Sequence, residues 1–98
     1  MKKLSEKELV LLAQAGDQKS INMLFEKMHK IIPISLKRTF RTVDHETIQD
    51  ITQIALMKGF KNLNKYNATY TFNTWVTTIA RNAMIDHFRK NKYKIIEV

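Results

Sequence analysis

Between residues 21 and 40 the apolar side chains Ile21, Leu24, Phe25, Met28, Ile31, Ile32, Leu36 and Phe40 recur every three or four positions. That spacing lines them along one side of an α-helix, whereas a strand would distribute them over both of its faces. Pro33 lies inside the stripe, and the pattern continues beyond it. The sequence therefore predicts a helix over about 18–40, kinked where the prolyl ring removes one backbone hydrogen bond. A helix with so long an apolar side needs other elements to cover it.

The rest of the chain supplies them as helices, with almost no strand signal. Ser5-Glu6-Lys7-Glu8 reads as a capping box, followed by Leu9, Leu12 and Ala13 at helical spacing and by Gly16, a residue suited to the left-handed turn that ends a helix. Asp17 is then an N-cap for the striped helix, and Asp44 for a third one. The third turns Ile48, Ile51, Ala55, Leu56, Phe60 and Leu63 inward and Glu46, Gln49, Asp50 and Gln53 outward. Residues 64–71, "NKYNATYT", have the Asn and Thr content of a loop, and a fourth helix is expected over about 72–90. The predicted fold is all-α, a compact bundle of about four helices in one domain. Its 98 residues suffice for a helical core but leave little chain for an elaborate enzymatic cleft.

Several function classes are disfavoured by composition. Without cysteine there is no disulfide scaffold and no thiolate metal site. No apolar run approaches the roughly 18 residues of a membrane span. Met1-Lys2-Lys3-Leu4 leads into Ser5-Glu6-Lys7-Glu8 where a signal peptide would be apolar, so a cytoplasmic protein without membrane insertion is expected. His29, His45 and His87 are far apart and show no metal-ligand spacing, Gly16 and Gly59 are the only glycines, and Ser5, Ser20 and Ser35 carry no nucleophile elbow. No catalysis, metal or cofactor is expected. The formal charge of +8 is concentrated in the second half, where residues 51–98 hold eight Lys/Arg against Asp86 and Glu97. A cationic surface raises the local concentration of polyanions, nucleic acid foremost among them.

The stretch "KYNATYTFNTW" brings Tyr66, Tyr70, Phe72 and Trp75 into a polar loop beside that basic helix. Aromatic rings hold exposed bases by stacking, worth roughly 1–3 kcal/mol per base, so rings, amides and cations together suit single-stranded or melted nucleic acid. Each ring also has a purely structural reading. Phe72 and Trp75, at a helix start, are better suited to anchoring the loop, while the phenols of Tyr66 and Tyr70 tolerate a wet boundary.

The segments "LLAQAGDQKSINMLFEKMHKII", "DITQIALMKGFKNLNKY" and "YTFNTWVTTIARNAMIDHFRK" resemble, from about Leu9 to Lys92, the region-two domain of bacterial RNA polymerase sigma factors of the small extracytoplasmic-function type. The order and gaps of "AQAGD", "DxxQ" and "FxTWxxxIARNxxxDHxRK" carry the resemblance. It implies a helical domain over 1–92 that binds the clamp helices of the polymerase β′ subunit, reads the promoter minus-ten element, captures an unstacked non-template base and has an anti-sigma factor as a further partner.

Transferred by position, the resemblance puts polymerase contacts on Asp50 and Gln53, with Gln49 and Lys58 completing the set. Where the family usually has a glutamate after that glutamine, this chain has Ile54. Base contacts fall on Asn62, Tyr66, Asn67, Tyr70, Asn73 and Asn82, and phosphate contacts on Lys65, Arg81, Arg89, Lys90 and Lys92. Asp86 is expected to be structural, paired with a basic neighbour. Residues 93–98, "YKIIEV", read as a frayed end or the start of a linker, and the family's minus-thirty-five-reading domain is expected to be absent. Two alternatives stand beside promoter recognition: a half-factor that docks on polymerase or an anti-sigma factor without reading DNA, and a general helix-turn-helix binder. The latter is disfavoured because no short helix-Gly-turn-helix unit puts an exposed recognition helix after it.

Overall fold

The computed structural model describes residues 4–96, with side chains through residue 90. Four α-helices follow one another: α1 (Glu6–Gln14), α2 (Gln18–Thr39), α3 (His45–Lys61) and α4 (Phe72–Ile96), with a 3₁₀ turn at Leu63–Lys65. Each helix opens on a side-chain cap. The Ser5 hydroxyl accepts from the Glu8 amide while the Glu8 carboxylate accepts from the Ser5 amide, the two bonds of the expected capping box. Asp17 and Asp44 accept from the Ser20 and Thr47 amides, and the Thr71 hydroxyl accepts from the Thr74 amide at the start of α4.

The corner between α1 and α2 is a Schellman turn. Gly16 takes φ +97°, its amide donates to the Ala13 carbonyl, and the Asp17 amide donates to that of Leu12. Asp17 thus closes one helix and caps the next, which explains why "AGD" punctuates the sequence where it does.

α2 runs through Pro33 without interruption and buries Leu24, Met28, Ile32 and Leu36. α3 buries Ile48, Ile51, Ala55 and Leu56, and α4 adds Phe72, Val76, Ala80, Ala83 and Met84 to the same core. Among the described residues, two polar side chains are buried and both are satisfied: the Ser20 hydroxyl donates to Asp17, and that of Thr52 to the Ile48 carbonyl one turn back. Gly59 brings α3 close to α4, facing Ile79 and Val76.

The main departure from expectation is α4, which reaches Ile96 rather than ending near 90, so residues 93–96 continue the helix. At 1.5 Å per residue its 25 residues measure about 37 Å. That length helps give the molecule its elongated 58 × 24 × 21 Å outline. The last two tail residues, 97 and 98, lie outside the described residues.

Candidate nucleic-acid interface

The loop between α3 and α4 is built around an aromatic group. Tyr66 meets Phe72 edge-on, with ring centroids 5.4 Å apart, and lies 5.3 Å from Trp75. Phe72 in turn meets Phe60 edge-on at 6.2 Å. Such offset geometries match the positive edge of one ring to the negative face of another. Phe72 is fully buried, whereas Trp75 and Tyr66 are only partly so. Phe72 is therefore the deep anchor, and Tyr66 contributes to packing as well as to the surface. Its hydroxyl donates to the Tyr70 carbonyl, which closes the loop on itself. Burial, followed by the nearby Glu6 carboxylate, raises the Tyr66 phenol pKa above its usual 10.0.

The tip is ordered by its own side chains. The Asn67 amide oxygen accepts from both the backbone amide and the hydroxyl of Thr69, an Asx turn that holds Ala68 at φ +66°. From below, α1 supports the loop: the Gln14 side-chain amide donates to the carbonyls of Leu63 at 3.0 Å and Tyr66 at 2.9 Å. Between α1 and the loop lies an open cleft of about 470 Å³, with Glu6, Lys7, Val10, Leu11 and Gln14 on one wall and residues 66–72 on the other. Of the six expected base-contacting residues, three line it: Tyr66, Asn67 and Tyr70.

The other three stand elsewhere. The Asn62 side chain donates to the Lys58 carbonyl and so closes the C-terminus of α3. Asn73 lines a smaller groove of about 320 Å³ between α2 and α4, together with Arg38, Ser35, Thr74 and Thr77. Asn82 is exposed on α4, seven positions beyond Trp75 and hence on its side of the helix, about 10 Å further along the axis.

Among the expected phosphate contacts, Lys65, Arg81, Arg89 and Lys90 are all exposed. Arg89 lies 3.6 Å from Asp86, an ion pair one turn apart and open to solvent. The Lys92 side chain lies outside the described residues.

On α3, Asp50, Gln53 and Lys58 are exposed and Gln49 is half-buried. Gln53 Nε2 is 3.4 Å from His29 Nε2 on α2, beside the stacked pair of Phe25 and His29. Sequence reasoning marked Ile54 on this face but missed the second exposed apolar residue, Met57. Ile54 is 40% exposed and Met57 71% exposed, at helical spacing from Asp50 and Gln53. The signal was present, since Met57 falls outside the inward stripe of α3 yet is apolar. Gln14 was missed as well, because nothing in α1's own pattern points to a loop some fifty residues away.

The helical arrangement is that of a sigma-factor domain. It superposes with a TM-score of 0.80, at 25% identity, on the NMR structure of an engineered region 2 of sigmaE in complex with GTAAAA, covering 96% of this chain and 97% of that one. The sigma-70 region 2 family model matches residues 34–93, and the chain belongs to that family, whose members are transcription initiation factors rather than enzymes. Its curated relatives include the ECF sigma-E factor of Escherichia coli K12, 31% identical over 81% of this chain and 40% of the relative. They also include the ECF sigma factor BldN of Streptomyces coelicolor, 26% identical over 90% of this chain and 33% of the relative. The chain thus spans a third to two-fifths of the length of these relatives. Among the described residues, no helix is long and apolar enough to cross a membrane.

Proposed function

We propose that this chain is the promoter-recognition module of an alternative sigma factor. It docks on the β′ clamp helices of RNA polymerase through the outer face of α3 and captures an unstacked non-template base of the minus-ten element between α1 and the loop. The observation that carries this reading is the cleft lined by Tyr66, Asn67 and Tyr70. It is a concave site that offers ring faces beside amide and backbone hydrogen-bonding groups, which is what an extruded base requires. The sigmaE domain of the same fold, solved with a six-base ligand, supports it.

Exposed Lys65, Arg81, Arg89 and Lys90 are assigned to phosphates, which position the domain without selecting sequence. Asn82 is assigned to a neighbouring nucleotide, since it shares Trp75's side of α4 but lies beyond the cleft.

The test is a titration of the 98-residue chain with labelled single-stranded GTAAAA, its single-base variants and the duplex form. Single strands should bind more tightly than duplex, with one position giving discrimination of roughly 1–3 kcal/mol. Equal affinity across the panel and the duplex would remove base capture.

A second reading, a half-factor that docks on polymerase or an anti-sigma factor without reading DNA, draws support from the exposed Ile54 and Met57. It predicts tight binding to a clamp fragment alongside that flat oligonucleotide profile.

A further inference from the structure

We infer that Gln14 of α1 is a positioning residue for base selection: it sets the shape of the loop that the proposed function makes the base-capturing element, and the inference rests on that reading. The argument starts from hydrogen-bonding capacity. A primary amide carries two N–H donors on one nitrogen, and Gln14 directs its nitrogen at two backbone carbonyls, those of Leu63 and Tyr66. These acceptors bracket the 3₁₀ turn, so one side chain fixes both the entry to the loop and the residue whose ring meets Phe72 and Trp75. The bonds span 49 and 52 positions of sequence and join α1 to the loop across the floor of the cleft.

Apart from Gln14, the side-chain hydrogen bonds seen in this loop are local. Tyr66 donates to Tyr70, Asn67 accepts from Thr69, and Asn62 donates to Lys58. These shape the loop without locating it on the bundle. Gln14 supplies the location together with the buried Leu63 and Phe72, and of the three it alone does so by directed polar contacts. Its own placement is set by the corner that follows at once, where Gly16 and Asp17, two and three residues on, close the end of α1. "AQAGD" therefore holds three separate tasks within four residues: clasp, left-handed turn and cap.

The chemistry makes the role separable from packing. Gln14→Glu keeps the shape of the side chain but, once ionised, presents only acceptors to two carbonyl acceptors, in a region that already contains Glu6. Gln14→Ala removes both donors, and Gln14→Lys keeps donors on a longer stem.

The experiment compares these three variants with the parent chain by two readouts. One is the ratio of affinities for single-stranded GTAAAA and its single-base variants. The other is the emission of Trp75, the only tryptophan, which lies against Tyr66 and so reports loop placement without DNA. Gln14→Glu and Gln14→Ala should shift the emission and cut selectivity by about tenfold, the equivalent of one or two lost hydrogen bonds, at an unchanged salt slope. Gln14→Lys should restore most of both. Unshifted emission with unchanged selectivity overturns the inference, as does a shifted emission with parental selectivity. Should Gln14→Ala or Gln14→Glu fail to fold, Gln14→Lys decides alone: parental emission and selectivity support the clasp, and a folded lysine variant with lost selectivity overturns it. If the parent chain itself shows no selectivity, base capture fails, and with it the selective role of Gln14, whereas the emission readout still shows whether the clasp places the loop.

Discussion

At the residue scale, the rings of the loop divide by depth. Phe72→Ala empties a fully buried site and should destabilise the domain by about 3–5 kcal/mol, measured by urea unfolding. Trp75→Ala should cost less, about 2 kcal/mol, since that ring is only half-buried. Tyr66→Ala would lose two ring pairs, so the informative change is Tyr66→Phe, which keeps the packing and removes only the bond to the Tyr70 carbonyl. From sequence the four aromatics were legible as a group, and Phe72 as an anchor. Tyr66 was not legible as part of the packing, because contact between rings depends on how the chain turns at Asn67 and Ala68. The capping carboxylates were fully legible, and they make a prediction about acid. Asp17 and Asp44 accept from the Ser20 and Thr47 hydroxyls and amides, and Glu8 accepts from the Ser5 amide and hydroxyl; each therefore titrates below its ordinary value of 3.8 or 4.5. The unfolded chain then binds protons more readily than the folded one. The stability these caps contribute is present above the ordinary values and is lost as the pH falls through the lowered ones. Unfolding midpoints should drop on the acid side, and Asp17→Asn with Asp44→Asn should flatten that limb. An acid limb identical to the parent's would mean that these caps are not its origin.

Elements carry a different set of expectations. Gly59 sits inside α3 with ordinary helical backbone, and a Cβ there would meet Ile79 at 3.8 Å and Val76 at 4.0 Å, ordinary contact distances. Gly59→Ala should therefore stabilise the chain by about 0.5–1 kcal/mol through helix propensity, raising the melting temperature by about 3–6 °C; a lower one would show that α3 and α4 approach more closely. On α4, the exposed pair of Asp86 and Arg89 contributes little to stability but competes with phosphate for the guanidinium. Asp86→Asn should tighten binding to all oligonucleotides alike and steepen the salt dependence by up to about 0.7, and an unchanged slope would take Arg89 off the phosphate track. The helices themselves could be read from caps and stripes because both signals are local. The distribution of the asparagines could not: Asn73 faces the groove with Arg38 while Asn82 shares Trp75's side. A residue's bearing around α4 becomes useful only once the neighbours on each side are known. The far end of α4 was missed for a related reason, as "NKYKIIEV" lacks the glycine or proline that would mark a stop.

For the whole molecule, the two proposed surfaces should be separable. Asp50→Lys combined with Met57→Ala alters only exposed side chains of α3 and should weaken binding to a β′ clamp fragment by about 2 kcal/mol while leaving oligonucleotide selectivity at the parental level. Full clamp affinity in that variant would move the docking site off α3. The order of the helices has a further consequence, in time rather than in space. Each helix packs on the next one along the chain, and α2 also touches α4, so most of the core joins segments that are close in sequence. Chains of that kind lose little loop entropy before contacts form and fold in microseconds to milliseconds. The long-range links of α1 are the exception: it touches α4 only sparsely, and the Gln14 clasp joins it to a loop that cannot be placed until α3 and the start of α4 have docked. Formation of the bundle and placement of the loop should then be distinct kinetic events, with the Trp75 signal trailing the helical one.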